Sequence, residues 1–299
     1  MTKSWEEYAW KQLKRGFMWG GKRNFDFFFT LNPDMNDKKE ELILKLYSNS
    51  ENKVLVVLPY SPKEAQGKEL QLALKGWRKF CTFDYHFVVV GEFDTELVEE
   101  FPWVEFIECK QIEKIKCQYT PHLDVQRKME CVMEKYGNDY PGFIRTMDDI
   151  YAIKPFTLND IITIHYNKDI IEGSERAPES YWLHDKWKTK QLLDREKLPH
   201  INYATHFPCY FEFDRLKEMW DKYNMREESY AYEDIYFNSF PHSRPVLDSE
   251  IRYIIYNIST SLNELPTMVE KPNIKFINNT ISGWSRKLEE YLNNIINNT

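Results

Sequence analysis

The chain has 299 residues, of which 42% are hydrophobic and 16% aromatic, and it contains only 10 glycines and 14 prolines. This composition indicates a folded globular protein with a large core, built as one domain with elaborations or as two small domains. The net charge of −7 argues against broad, sequence-independent binding of nucleic acid, which relies on a basic surface.

Strands and helices alternate through the first part of the chain. The segment KVLVVLPY predicts a strand covered on both faces, because its apolar run from Val54 to Leu58 is unbroken and rich in β-branched residues. A helix in KELQLALKGWRKF, a strand in YHFVVVGEFD, a helix in DTELVEEF and a strand in VEFIEC follow. This alternation predicts an α/β fold with a mixed, mainly parallel sheet flanked by helices.

A further helix and strand lead to a pair of adjacent acids. Thr120 is a suitable N-cap and Pro121 a suitable first residue for a helix that Gly137 ends. The strand GFIRTM then carries Asp148 and Asp149 at its C-terminal end. Open α/β sheets bind ligands at that edge, so the two aspartates are candidate site residues.

The adjacent aspartates predict a metal site. Two carboxylates held close together repel each other, which raises the pKa of one of them unless a cation neutralises the pair. An oxygen-seeking ion such as Mg²⁺ or Mn²⁺ does this and keeps open positions that a diphosphate fills. The alternative interpretation is that Asp148 caps the following turn while Asp149 is solvated.

The segment RTMDDIYAIKPF resembles the D-x-D region of GT-A glycosyltransferases. In that family the last acid ligates the metal and the preceding acid often contacts the ribose, which implies Asp149 as a metal ligand and Asp148 as its support. Met147 stands where the family has the first acid of the motif. The resemblance implies a GT-A-like (Rossmann-like) domain that uses Mn or Mg to transfer a sugar from a nucleotide-sugar donor to a hydroxyl acceptor.

Two other segments are similar to the same family, in the same order. The segment VLVVLPYSPKEAQGKEL resembles the first strand and loop, which implies Pro59, Tyr60 and Ser61 as nucleotide-sugar-binding residues. The segment YAYEDIYFNSF is similar to the E-D-x-Y segment of inverting enzymes, where an acid deprotonates the acceptor hydroxyl. Glu233 and Asp234 are therefore the candidate catalytic bases, and the start of an amphipathic helix is the alternative.

One histidine and two arginines complete the predicted site. His206, in the H-x-P setting of YATHFPCYF, is a candidate for the late metal ligand of GT-A enzymes, and His242 competes for that role. For either residue the alternative is a packed core histidine. Arg145 on the fourth strand and Arg127 on the preceding helix are candidates for contact with the donor phosphates, although Arg145 also suits an ion pair with one of the aspartates.

The same segments also resemble Stealth-type sugar-phosphate transferases, which share a strand-end acidic pair and a later H-x-P segment. That family moves a sugar together with its phosphate. A third interpretation is a non-catalytic module that binds carbohydrate or nucleotide. The acceptor stays open among a glycan, another biopolymer and a modified DNA base, and the sequence does not define the donor sugar, the stereochemical outcome or the oligomeric state.

We expect three parts along the chain: an N-terminal helical and loop extension in residues 1–50, a GT-A-like catalytic domain in 51–245, and a C-terminal helical extension in 246–299. The odd number of cysteines without a C-x-x-C pair predicts reduced thiols. The N-terminal residues lack the apolar core of a signal peptide, and no apolar run approaches the ~20 residues that span a bilayer. These features predict a cytoplasmic protein without a membrane span.

Overall fold

A computed structural model of the protein describes residues 38–48, 52–112, 121–167, 181–243 and 245–298. Most of the N-terminal extension predicted for residues 1–50 therefore lies outside the described residues. Within the described ranges, no helix combines the length and the apolar character needed to cross a membrane.

The described elements are ten strands and ten α-helices, with two short 3₁₀ turns among them. The strands are β1 (Val54–Tyr60), β2 (Tyr85–Gly91), β3 (Val104–Glu108), β4 (Gly142–Arg145), β5 (Ile150–Ala152), β6 (His165–Tyr166), β7 (Cys209–Glu212), β8 (Val246–Leu247), β9 (Arg252–Ile255) and β10 (Phe276–Asn279). The helices are α1 (Lys38–Leu46), α2 (Glu69–Phe80), α3 (Thr95–Glu100), α4 (Pro121–Tyr136), α5 (Leu158–Ile162), α6 (Tyr181–Glu196), α7 (Phe213–Tyr223), α8 (Tyr232–Ser239), α9 (Ser261–Glu270) and α10 (Arg286–Asn298).

A five-stranded central sheet in the order β3-β2-β1-β4-β7 organises the fold. Its first four strands are mutually parallel, and β7 pairs with β4 in the antiparallel sense. Helices cover both faces. The mixed, mainly parallel α/β sheet predicted from the alternation of strands and helices is therefore confirmed.

Strand β1 shows why the sequences of the central strands are unbroken apolar runs. Val54, Val56 and Leu58 point into the core that α2 and α10 cover. Leu55 and Val57 point into the core that α4, α7 and α8 cover. Because successive side chains of a strand face opposite sides, a strand buried on both faces needs an apolar residue at each position.

The C-terminal segment contributes strands as well as helices. A second sheet has the order β5-β10-β9, in which β10 is antiparallel to β5 and parallel to β9. Residues 246–299, predicted to be a helical extension, therefore also contain two of the strands of this sheet. One of them, β10, pairs with β5, which directly follows the acidic pair. Helix α10 is present, with Leu288 and Leu292 fully buried.

Candidate functional site

Asp148 and Asp149 lie in the turn that joins the central sheet to the second sheet. β4 pairs with β1 up to Arg145, and the N–H of Thr146 donates to the carbonyl of Val57 at 2.9 Å. The chain then turns and enters β5 at Ile150. The aspartates are thus at the carboxyl edge of the central sheet, where a ligand site was expected from the sequence.

His206 lies directly beside Asp149. Its Nδ1 is 3.3 Å from Oδ2 of Asp149. The two groups are not aligned as a hydrogen bond, and both Nδ1 of His206 and Oδ1 of Asp149 are buried without a hydrogen-bond partner. A buried polar atom without a partner costs about 1–3 kcal/mol, so this arrangement favours a bound group that contacts both. The structure therefore brings together the two residues predicted as metal ligands.

The backbone of His206 is in the left-handed region, with φ of 45°. For a residue with a Cβ this conformation costs about 1–2 kcal/mol, so the surrounding structure must hold it in place. Oδ1 of Asp234 accepts hydrogen bonds from the backbone N–H groups of Tyr203 and Ala204, at 2.6 and 3.2 Å. Helix α8 thus fixes the loop that presents the imidazole to Asp149.

Glu69, which the sequence analysis did not select, lies close to the acidic pair. It is only 4% exposed, in the first turn of α2. Its carboxylate accepts from the side chain of Asn279 and from the N–H of Gln66, each at 2.7 Å. Asn279 in turn accepts from the hydroxyl of Tyr151 at 2.6 Å. Burial raises the pKa of Glu69, and the charge of Asp149 raises it further.

The acidic side chains of this region raise the pKa of their neighbours. Burial raises the pKa of Asp148, and the charges of Asp149 and Glu69 add to the shift. Burial, followed by the charge of Asp148, raises the pKa of Tyr60 to about 12. Burial is the largest cause of each shift and the neighbouring negative charges add to it, and a bound cation would oppose the shifts by favouring the charged forms.

The residues present fit a divalent cation that also binds a substrate. Among the described residues, no group of three or more His, Cys, Asp or Glu side chains converges as a complete ligand set. Asp149 and His206 would supply two ligands and leave the remaining positions open. Mg²⁺ typically binds in this way, through one or two protein groups together with substrate phosphates and water, and Mn²⁺ also suits a carboxylate.

A cavity of about 990 Å³ opens at this pair. Its size is near the upper end of the ~300–1,000 Å³ typical of ligand sites. The lining residues are Asp149, Asn167, Trp182, Leu183, Lys186, Asn202, Ala204, Thr205, His206, Arg252, Ile254, Tyr256, Asn278, Asn279, Thr280, Ile281 and Ser282. Most of them come from α6, from the loop before β7 and from the second sheet, so long-range packing forms the cavity.

The second sheet supplies one wall of the cavity. Arg252, Ile254 and Tyr256 alternate along β9 and its extension, as residues on one face of a strand do. Asn278 of β10 is in register with Ile254, and Thr280 continues the same alternation. This wall was not predicted from the sequence, because β9 and β10 are only four residues long and give no strong local signal.

Two buried cations line the cavity. Lys186 is 5% exposed, donates to Oδ1 of Asn202 at 2.8 Å and forms an ion pair with Asp234. Arg252 is 3% exposed, donates to Oδ1 of Asn278 at 2.5 Å and pairs with Asp248. Their partners fix both side chains at the lining, so the cavity presents oriented positive charge beside the acid and imidazole.

Arg145 and Glu233 form a buried ion pair rather than part of the lining. Nη2 of Arg145 donates to Oε1 of Glu233 at 2.8 Å, and the residues are 1% and 5% exposed. Burial alone would raise the pKa of Glu233, but the Arg145 guanidinium and other cations hold it below the usual value. The arginine predicted to contact phosphate, or to pair with a strand-end aspartate, is instead placed against a predicted catalytic base.

Asp234 is fully buried and reaches the cavity only through its partners. It pairs with Lys186 and accepts from the 203–204 backbone. Burial raises its pKa, while Lys186 opposes the shift. This geometry makes Asp234 a residue that positions Lys186 and the His206 loop, and the catalytic role predicted for Glu233 or Asp234 stays a prediction.

The remaining predicted residues are outside the lining. Pro59 is buried in β1, while Tyr60 and Ser61 are at its C-terminal end, on the same edge as Asp148. Arg127 is exposed on α4. His242 is buried and its Nε2 bonds a backbone carbonyl of α5 at 2.8 Å, so it is not beside the acidic pair. The nucleotide-binding roles of Pro59, Tyr60, Ser61 and Arg127 stay predictions.

Comparison with known proteins gives structural similarities only. No family model matches the chain, and no curated protein does. A glycosyltransferase involved in the glycosylation of the major capsid of PBCV-1 is 16% identical, with a TM-score of 0.37 over 80% of this chain and 98% of that one. The apo-form glycosyltransferase GlyE of Streptococcus pneumoniae TIGR4 is 10% identical, with a TM-score of 0.37 over 82% of this chain and 60% of that one. Because both scores are below 0.5, functional assignment rests on the chemistry of the site itself.

Proposed function

We propose that this protein is a metal-dependent glycosyltransferase that moves a sugar from a nucleotide-sugar donor to a hydroxyl acceptor. The observation that carries the proposal is the approach of His206 Nδ1 to Oδ2 of Asp149 beside a large cavity, where Nδ1 of His206 and Oδ1 of Asp149 are buried without a hydrogen-bond partner. A strand-end carboxylate and an imidazole, next to oriented cations, suit a cation and a diphosphate bound together.

Different residues would bind the metal and the phosphates of the donor. Asp149 and His206 would hold Mn or Mg, which when bound would offset the negative charge that develops on the departing diphosphate. Asp148 and Glu69 lie close to Asp149, and a bound cation would favour their charged carboxylates over the protonated forms that burial favours. Lys186 makes two described hydrogen-bond contacts through an ammonium with three N–H groups, which suits it to a phosphate oxygen.

Acceptor activation remains assigned to Glu233 or Asp234 as a prediction. In the described arrangement both carboxylates are paired with a cation. Contact with an acceptor hydroxyl therefore requires one of them to exchange its partner. Their amide variants separate a catalytic role from a positioning role, because only a base is needed in the transfer step itself.

Ligand-induced stabilisation tests the donor site. We expect UDP, GDP, CDP or dTDP to raise the melting temperature only when Mn²⁺ or Mg²⁺ is present, because the diphosphate binds through the metal. Ligand at ~100 times its dissociation constant adds about 2.7 kcal/mol to the free energy of unfolding. The substitution Asp149→Asn should abolish the metal-dependent part of the shift, measured by differential scanning fluorimetry.

The matched control is Asp214→Asn, which changes an exposed aspartate of α7. This variant should keep the full shift. A shift that persists without metal, or in Asp149→Asn, contradicts the assigned metal site. Mass spectrometry of the transfer product then identifies the reaction: a glycoside without added phosphorus supports sugar transfer, a phosphodiester supports sugar-phosphate transfer, and binding without turnover supports a binding module.

A further inference from the structure

Exposed apolar side chains concentrate at the mouth of the cavity. Four of the large hydrophobic residues that are most exposed in the described chain line it, and we refer to them as the cavity rim: Trp182, Leu183, Tyr256 and Ile281. Tyr256 is 57% exposed and Ile281 is 79% exposed. Single exposed apolar residues are ordinary on a protein surface, but a cluster around a polar cavity marks a binding surface.

Hydrogen bonds hold the backbone of Tyr256, and a buried lysine lies beside the ring of Trp182. The N–H of Tyr256 donates to Oγ of Ser261 at 3.2 Å, and its carbonyl accepts from the hydroxyl of Thr280 at 3.0 Å. The ring of Trp182 has Nζ of Lys186 at 5.2 Å from its centre, and the contacts of that lysine fix its position. The backbone that carries Tyr256 and the position of the Trp182 ring are therefore set before any ligand binds, which lowers the entropic cost of binding.

Apart from Asp149, His206 and the two paired cations Lys186 and Arg252, the polar groups that line the cavity are neutral. Asn202, Asn278, Thr280 and Ser282 line the cavity together with the rim. Amides and hydroxyls pair with hydroxyl groups, and aromatic faces pack on the apolar face of a sugar ring. A lipid would need an apolar floor, and a nucleic acid would need a basic surface that a chain of net charge −7 does not favour.

We propose that the cavity rim is the acceptor subsite of the enzyme and that it binds an uncharged sugar ring of a glycan against Tyr256 and Trp182. This inference rests on the proposed function, and it narrows the acceptor class from any hydroxyl to a carbohydrate. Three of the residues predicted to bind the nucleotide sugar, Pro59, Tyr60 and Ser61, are at the end of β1 and do not line the cavity. The cavity rim is therefore available to an acceptor.

Glycan binding by the full chain, with UDP and Mn²⁺ present, tests the subsite. The probe is a printed panel of unsubstituted oligosaccharides of glucose, galactose, mannose, rhamnose and N-acetylglucosamine, followed by titration of the best binder. We expect Tyr256→Ala to weaken its affinity by about tenfold, the effect of losing one aromatic contact. Tyr256→Phe should keep most of the affinity because it keeps the ring.

A control variant and a second rim variant make the result specific. Val98→Ala changes an exposed apolar residue that does not line the cavity and should leave glycan affinity unchanged. Ile281→Ser changes a second rim residue that is largely exposed, so it should fold normally and weaken binding. Neither rim substitution should change the metal-dependent shift produced by UDP, since neither residue is assigned to the donor.

The outcomes separate this inference from the proposed function. If UDP still stabilises the protein with Mn²⁺ but no oligosaccharide binds, or binding does not depend on Tyr256, the acceptor subsite is wrong and the donor site stands. If oligosaccharides bind through Tyr256 but no nucleoside diphosphate stabilises the protein, the transferase proposal fails and the rim remains a glycan-binding site. Rim-dependent binding of single-stranded DNA or of lipid vesicles, without glycan binding, overturns the inference.

Discussion

The buried ion pair between Arg145 and Glu233 gives a prediction that separates a structural from a catalytic role for Glu233. The pair has a hydrogen-bond distance of 2.8 Å and both residues are at most 5% exposed. The substitution Glu233→Gln keeps the shape of the side chain but leaves the guanidinium buried without a counter-charge. We expect the free energy of unfolding to fall by about 3–5 kcal/mol, the usual cost of removing one partner of a buried pair.

The magnitude also predicts the assay result. In a chain of 299 residues one kcal/mol corresponds to about 1.6 °C in the melting temperature, so Glu233→Gln should melt about 5–8 °C lower. Since the pKa of Glu233 is lowered in the folded state, its contribution is fully present above the pKa of the unfolded state. That contribution is lost as the pH falls through the folded-state pKa, so the two proteins should converge in acid.

Chemical denaturation with three variants tests this reasoning. Replacing both residues by Met should restore most of the stability, because an apolar pair of similar volume carries no uncompensated charge. The exposed control Glu218→Gln on α7 should behave like the wild type. If Glu233→Gln unfolds within about 1 kcal/mol of the wild type, the buried pair does not contribute as argued; if its turnover also falls by about 10²–10⁴-fold, Glu233 is the base.

Two further predictions concern histidines. The substitutions His206→Gly and His206→Ala remove the same ring, but only glycine adopts the left-handed backbone conformation without strain. The glycine variant should therefore be about 1 kcal/mol more stable than the alanine variant in chemical denaturation. Equal stability of the two variants would argue against that conformation. Burial lowers the pKa of His165 to about 3 and of His242 to about 4. Because the unfolded chain then binds more protons, stability should be full above pH 6.5 and fall below it by about 1.4 kcal/mol per pH unit for each histidine. The substitution His165→Phe should reduce this loss in melting curves recorded across the pH range, and an unchanged slope would refute it.

The sequence by itself determined the four parallel strands of the central sheet, β1 to β4, and the place of the acidic pair at their carboxyl edge. Unbroken apolar runs such as Val54 to Leu58 specify a strand buried on both faces, and this information is local. Once GFIRTM is a strand of that sheet, Asp148 and Asp149 must emerge at its carboxyl edge. Side-chain periodicity and chain direction suffice for this much of the candidate site.

The partners of those residues were decided only by the tertiary structure. Arg145 and Glu233 are paired although they are 88 positions apart in the sequence, and Tyr151 donates to Asn279, which is 128 positions away. The cavity wall depends on the pairing of β10 with β5, and these strands are only four and three residues long, so neither gives a strong local signal. His206 reaches Asp149 because α8 fixes its loop in an unfavourable backbone conformation. Such contacts arise from the packing of whole helices and strands against each other. The pattern of residues along one segment does not specify which distant segment will pack against it.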